Sequence, residues 1–191
     1  MKIPLRYIDV KYEDVPKEIR ASLERMRETR QGLYIHGPVG TGKTHVLWAI
    51  RKMLIKRLEE NLPAQAGSYS RIYNITELIH KIRAEFDRRN GEDVLGELLE
   101  YDGILMLDDI GAEKITDWVA ETFYMLINRR YEGRLPTIFT SNLPVADLAE
   151  RIGDRTASRI VEMCDIFHLG GQDRRLVKVI NRKDALHEKT K

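Results

Sequence analysis

A single cysteine, Cys164, is all the thiol chemistry in this 191-residue chain. That excludes an internal disulfide and a cysteine-rich zinc centre, and it is the usage expected of a reducing compartment. Long apolar runs are missing too: no uncharged stretch approaches the roughly 20 residues a membrane-spanning helix needs, and the leading MKIPLRYIDV has no apolar signal-type segment. Secretion and membrane insertion are therefore disfavoured, and a cytoplasmic location is the expectation. Proline and glycine are sparse, at 6 and 13 residues, which excludes low-complexity and collagen-like chains. Neither charge is in excess, with 32 Lys and Arg against 30 Asp and Glu, so overall charge does not mark a nucleic-acid-binding domain. What remains is a chain long enough to bury one sizeable core.

Apolar strands alternate with helices of 3.6-residue period. Gly32 to His36 reads as a short buried strand, followed by a glycine-rich turn and a helix with Val46, Leu47, Ile50, Met53, Leu54 and Leu58 on one stripe. Tyr69 to Asn74 reads as a second strand, and Ile75, Leu78, Ile79, Ile82 and Phe86 then mark an amphipathic helix that Asn90-Gly91 ends. After a short helix from Val94 to Glu100, Ile104 to Leu107 is apolar at every position, as in a strand covered on both faces, and is expected to end at Asp108-Asp109. A helix from Asp117 to Tyr131, a strand from Thr137 to Thr140, helices near Val145 to Ile152 and Asp154 to Met163, and a strand around Ile166 to Leu169 complete the pattern. The order βαβαβαβαβ predicts an α/β fold with a five-stranded parallel sheet and helices on both faces.

Chemistry concentrates at three strand ends. The residues after the first strand, Gly37-Pro38-Val39-Gly40-Thr41-Gly42-Lys43-Thr44, match the phosphate loop G-x-x-x-x-G-K-[ST] in its strand-turn-helix context. Glycines let backbone N–H groups turn toward phosphate oxygens, and the following helix adds its positive end. In that pattern Lys43 reaches the β- and γ-phosphates and the Thr44 hydroxyl ligates Mg²⁺. Asp108 and Asp109 lie at the carboxyl end of the buried strand, the same sheet edge, where Asp108 is the expected Mg²⁺ partner and Asp109 the residue that polarises the attacking water. The bland alternative is a turn or cap. Asn142, ending the next strand, is placed to touch the γ-phosphate or the water, or to cap the helix after Leu143-Pro144. Asn74-Ile75-Thr76-Glu77 reads as a capping box.

Taken in order, GPVGTGKTH, ILMLDDIGAE, INRRYEGRLPTIFTSNLP, DRTASRIVEM and GGQDRRL resemble the ATPase domain of bacterial helicase loaders of the DnaC/DnaI type and the related IstB transposition ATPases, within the AAA+ class of P-loop NTPases. The likeness runs from about Tyr34 to Leu176. It implies ATP and Mg²⁺ as ligands, residues 37 to 45 including His45 as a nucleotide loop, Asp108 and Asp109 as the Walker B pair, and Asn142 as sensor 1. It also implies that Arg159 is a finger reaching the nucleotide of a neighbouring subunit, with Arg155 one turn away as competitor, and that Arg175 is a late sensor-like arginine. From the residues alone, these arginines read equally as solvated helix faces.

The resemblance further implies self-assembly, single-stranded DNA, and a replicative helicase or a transposase as client. Lys81, Arg83, Arg88 and Arg89 are the candidate DNA contacts, although Glu85 and Asp87 intervene and suit a plain solvated face. The expected organisation is an N-terminal extension with the first strand over 1–36, an AAA+ core over 37–176, and a basic tail over 177–191. The few residues after Leu169 suit the branch without a C-terminal helical lid, and the short stretch before Gly37 suits either a trimmed ATPase domain or a minimal relative.

Overall fold

The structure, a computed structural model, describes residues 3–61, 69–88, 93–112, 116–171 and 173. After 3₁₀ turns at Leu5–Tyr7 and Tyr12–Asp14, the elements run α1 Lys17–Thr29, β1 Gly32–His36, α2 Lys43–Asn61, β2 Ser70–Asn74, α3 Ile75–Arg88 and α4 Val94–Glu100. They continue with β3 Ile104–Ile110, α5 Asp117–Glu132, β4 Thr137–Ser141, α6 Val145–Ile152, α7 Asp154–Met163 and β5 Cys164–His168. All strands are parallel, in the order β2-β3-β4-β1-β5.

Alternate residues of each strand feed opposite cores, which is why β3 is apolar from Ile104 to Leu107 and why β1 and β4 are buried along nearly their whole length. Leu33, Ile35, Ile104, Met106 and Ile138 pack under α1 and α2 with Ile19, Leu23, Leu47 and Ile50. Tyr34, Leu105, Leu107 and Phe139 pack against the other helices with Leu78, Ile82, Phe123, Ile127 and Ile160. Helix α1 is absent from the sequence reading, yet Ile19, Leu23 and Met26, at i, i+4 and i+7 after Pro16, form its buried stripe. It ends at Arg30 in the left-handed conformation.

Two strand ends differ from expectation. Strand β3 does not stop at the aspartates but continues to Ile110: its register on β4 moves from Leu107 opposite Phe139 to Ile110 opposite Ser141. One extra residue is thus accommodated as a bulge, with Asp109 at φ +64°, a conformation Asp tolerates better than most residues. Strand β5 begins at Cys164 rather than Ile166, because Cys164 and Asp165 pair with Gly32 and Leu33. The polar Asp165 is accommodated there by the Ser22 hydroxyl and by Arg25 at 3.7 Å.

Candidate functional site

The strand order creates the site. Because β4 lies between β1 and β3, the loop after β1, the end of β4 and the acidic end of β3 meet side by side at the carboxyl edge of the sheet. Ligands of open α/β sheets bind at this edge. A cavity of about 320 Å³ opens there, lined by Val39, Gly40, Gly42, Lys43, Thr44 and His45 of the loop, by Asp109, Thr140 and Asn142, and by Arg6 and Tyr7.

The loop is shaped by glycine where it must be. Gly42 adopts φ +102°, and a Cβ on Gly37 would run into the Leu169 carbonyl of the chain leaving β5. Pro38 and Thr41 shape the loop from behind, with the Thr41 hydroxyl donating to the Pro38 carbonyl at 3.0 Å. Lys43, only 7% exposed, donates from Nζ to the carbonyls of Gly37 at 2.7 Å and Pro38 at 2.8 Å, and to Asn142 Oδ1 at 2.8 Å. Asn142 then donates from Nδ2 to Asp109 Oδ1 at 2.8 Å. One amide side chain therefore bridges the loop lysine and the second aspartate. It caps no helix: α6 starts after Pro144 with no side-chain cap.

Asp108 is 8% exposed. The Thr44 hydroxyl lies at 3.1 and 3.2 Å from its two oxygens, and Thr140 Oγ1 donates to Oδ1 at 2.6 Å. Burial pushes the Asp108 carboxyl above the ordinary carboxylate range; the Thr140 and Thr44 hydrogen bonds and the Lys43 charge oppose the shift, while neighbouring Asp109 adds to it. The same Thr140 oxygen accepts the Asp109 backbone N–H at 2.9 Å, so one hydroxyl fixes both aspartates across the bulge. His36, which enters the loop, lies 5.2 Å from the His168 ring. Burial, then His168, then Lys43 hold its pKa below the usual value.

Of the residues singled out from sequence, Lys43, Thr44, His45, Asp108, Asp109 and Asn142 are brought together. Arg159 is not: it sits on α7, its guanidinium 5.1 Å from the ring of Tyr124 and 5.6 Å from that of Tyr131. Arg155 is exposed on the same helix. Arg175 lies outside the described residues, as do Arg89 and the side chain of Arg88. Asn74 accepts the Glu77 N–H at 3.3 Å, the cap its sequence suggests. Lys81 is exposed and lines a second cavity with Asn74, Glu77 and Asp108, whereas Arg83 lies 5.0 Å over the Trp118 ring.

Sequence reasoning missed Arg6, Tyr7 and Thr140. Tyr7 reaches the site because its ring stacks on Trp48 at 5.7 Å and meets His45 edge-on at 5.1 Å, and no local pattern announces that contact. Thr140 was legible only as a strand residue.

Fold, loop and paired aspartates define a P-loop NTPase of the AAA+ class. The sequence profile of the IstB-like ATP binding protein family matches residues 10–181, and the chain belongs to that family. It is 29% identical over 158 residues to the replicative helicase loader DnaI of Bacillus subtilis (strain 168), covering 76% of this chain and 48% of DnaI. It is also 29% identical over 154 residues to the ATP-binding protein of insertion sequence IS21 from Pseudomonas aeruginosa, covering 78% of this chain and 54% of that protein. The chain thus spans about half the length of these curated relatives. A crystal structure of the DnaC helicase loader superposes with a TM-score of 0.69 at 26% identity, covering 87% of this chain and all of that one.

Proposed function

We propose that the chain is a Mg²⁺-dependent ATPase that assembles with copies of itself on single-stranded DNA and acts in DNA replication as a helicase-loader-like protein of the cytoplasm. The observation that carries this reading is the continuous polar link from Lys43 through Asn142 to Asp109, beside the Thr44–Asp108 pair.

In this mechanism the loop N–H groups and Lys43 hold the phosphates, with Lys43 exchanging its carbonyl and amide acceptors for phosphate oxygens. Arg6 and Tyr7 close the mouth of the cavity over the remainder of the nucleotide. Thr44 and Asp108 fit a hard divalent cation: both offer oxygen, and Asp108 is a buried carboxylate with no ion-pair partner among the described residues. Bound Mg²⁺ would supply charge neutralisation at the β- and γ-phosphate oxygens. Asp109, held by Thr140 and Asn142, orients and accepts a proton from the attacking water, and Asn142 places that water relative to the γ-phosphate. Arg159 acts in trans on a neighbouring subunit's nucleotide, which makes turnover depend on assembly; Arg175 serves the phosphates of its own subunit. Lys81 and Arg83 contribute phosphate contacts to the DNA strand.

The IS21 relative supports a second reading, a transposition helper ATPase. A nucleotide-gated binding module with slow turnover is the non-enzymatic alternative. The Asp109→Asn protein separates enzyme from module: it should bind ATP as wild type does yet hydrolyse it at least about a hundredfold more slowly. Unchanged turnover would overturn the role of Asp109. Capture of a replicative helicase rather than a transposase by that ATP-locked protein would decide the client.

A further inference from the structure

We propose that Tyr124 and Tyr131 are positioning residues for Arg159, holding its guanidinium ready for a neighbouring copy's nucleotide; this rests on the reading of Arg159 as a trans finger. The two tyrosines lie seven residues apart on α5, two turns along one face. The Arg159 guanidinium carbon lies 5.1 Å from one ring centroid and 5.6 Å from the other, within cation–π reach of both. Its Nη1 donates to the Arg155 carbonyl at 3.1 Å, and its Nε is buried without a hydrogen-bond partner.

Helix packing does not require this arrangement. The seam between these helices already has an apolar filling in Phe123, Leu126, Ile127 and Ile160, and a surface arginine ordinarily extends its head into water rather than burying Nε. The two rings compensate for that lost hydration.

A finger must meet a transferring phosphoryl group in one orientation, and an arginine free in solvent loses rotamer entropy on doing so. Held by two rings and one carbonyl, Arg159 has lost most of that freedom before the subunits meet. Arg155 is exposed, and its side chain makes no such contact among the described residues. The two finger candidates therefore differ in preorganisation, and Arg159 is the preorganised one.

Mixed assemblies test this. The acceptor is Arg159→Ala, with an intact loop, and the donors carry Lys43→Ala with an intact finger, so all turnover arises at acceptor sites. A donor that also carries Tyr124→Leu and Tyr131→Leu should lower kcat of the mixture by about tenfold, and one that carries Tyr131→Leu alone by about threefold. The protein concentration giving half-maximal activity should not change. The Tyr124→Phe, Tyr131→Phe donor, which keeps both rings, should act like the parent. Full kcat from the Leu donors would overturn the positioning role while leaving the finger intact, and so would loss of activity in the Phe donor equal to that in the Leu donors. Full ATPase from Arg159→Ala alone would overturn the finger reading and the positioning role with it. The single Leu variant carries the test if the double variant does not fold.

Discussion

Two buried cations stand at opposite edges of one sheet. Arg130, on α5, sits where the strands begin and is fully buried. It donates to Thr137 Oγ1 at 2.6 Å and to the carbonyls of Tyr101, Gly103 and Pro136 at 2.6 to 3.0 Å. Lys43 sits where the strands end, also held by carbonyls and one side-chain oxygen. The difference lies in what holds them. The acceptors of Arg130 belong to segments entering β3 and β4 and to nothing else, so the guanidinium ties those strand starts together permanently. Burial pulls its pKa down to about 10, with Tyr101 opposing, and it stays charged at neutral pH. Those of Lys43 are two carbonyls of the loop itself and the amide of Asn142, a rotatable side chain that lines the open cavity. A buried cation with fixed acceptors is architecture; a buried cation with exchangeable acceptors is a binding group.

Substitution at each site should break the comparison in opposite ways. Arg130→Met strands the acceptors at the strand starts and should cost about 3–5 kcal/mol, lowering the melting midpoint by about 10 °C. Nucleotide affinity of the folded fraction should be unaffected. Lys43→Met leaves two loop carbonyls without their partner but frees the Asn142 amide, which lines the cavity; it should cost about 1–2 kcal/mol, less than Arg130→Met, yet abolish stabilisation by ATP. Urea unfolding of both proteins with and without nucleotide measures this, and equal losses of stability would erase the distinction.

The same contrast explains what was legible in the sequence. The nucleotide loop and the aspartates were legible because their pattern is local and their context, strand then helix, is written in apolar periodicity. The strands were legible too, most clearly β1 and β3, whose opening runs are buried and apolar; the edge strand β5 carries the polar Asp165, and its start lies two residues before the expected one. What escaped depends on contacts far apart along the chain. Arg130 reads as an ordinary helix-end arginine until Thr137 and the strand starts fold against it. Tyr7 reaches the cavity only by way of Trp48. The bulge at Asp109 is a feature of pairing with β4, and Ile104 to Asp109 contains no glycine or proline to announce it. The pairing of Tyr124 and Tyr131 with Arg159 joins two helices that the sequence presents separately.

A smaller effect of opposite sign tests whether the carboxyl edge gives up stability for function. Burial and Asp109 work against an ionised Asp108. Asp108→Asn removes that charge and keeps an oxygen to accept from Thr140. Without nucleotide or divalent cation, the variant should be more stable than wild type by about 1 kcal/mol, while losing the Mg²⁺ dependence of ATP binding. Arg130→Lys at the other edge has no such gain available, because an ammonium cannot reach the acceptors a planar guanidinium spans. Thermal melts in a chelating buffer give the sign, and a destabilised Asp108→Asn protein would mean that the hydroxyl contacts outweigh the burial of charge.

The smallest effect concerns pH. His36 ends β1 at the loop, and its pKa is held down by burial, by His168 opposite it and by Lys43. The unfolded chain therefore takes up this proton near its ordinary value, about pH 6.5, before the folded chain does. Its contribution to stability is complete above that value and is lost as pH falls through it toward the depressed pKa. His36→Gln removes this proton from the balance, so the variant should lose less stability than wild type between about pH 7.5 and about pH 5.5, by a few tenths of a kcal/mol after solvent screening. His168→Gln should recover part of the same difference by removing one of the neighbouring charges, whereas Arg130, charged throughout this range, contributes nothing to it. Melting midpoints of the three proteins at both pH values measure the effect. An identical pH dependence in all three would assign the acid loss to other groups and leave the loop end electrostatically as quiet as the arginine edge.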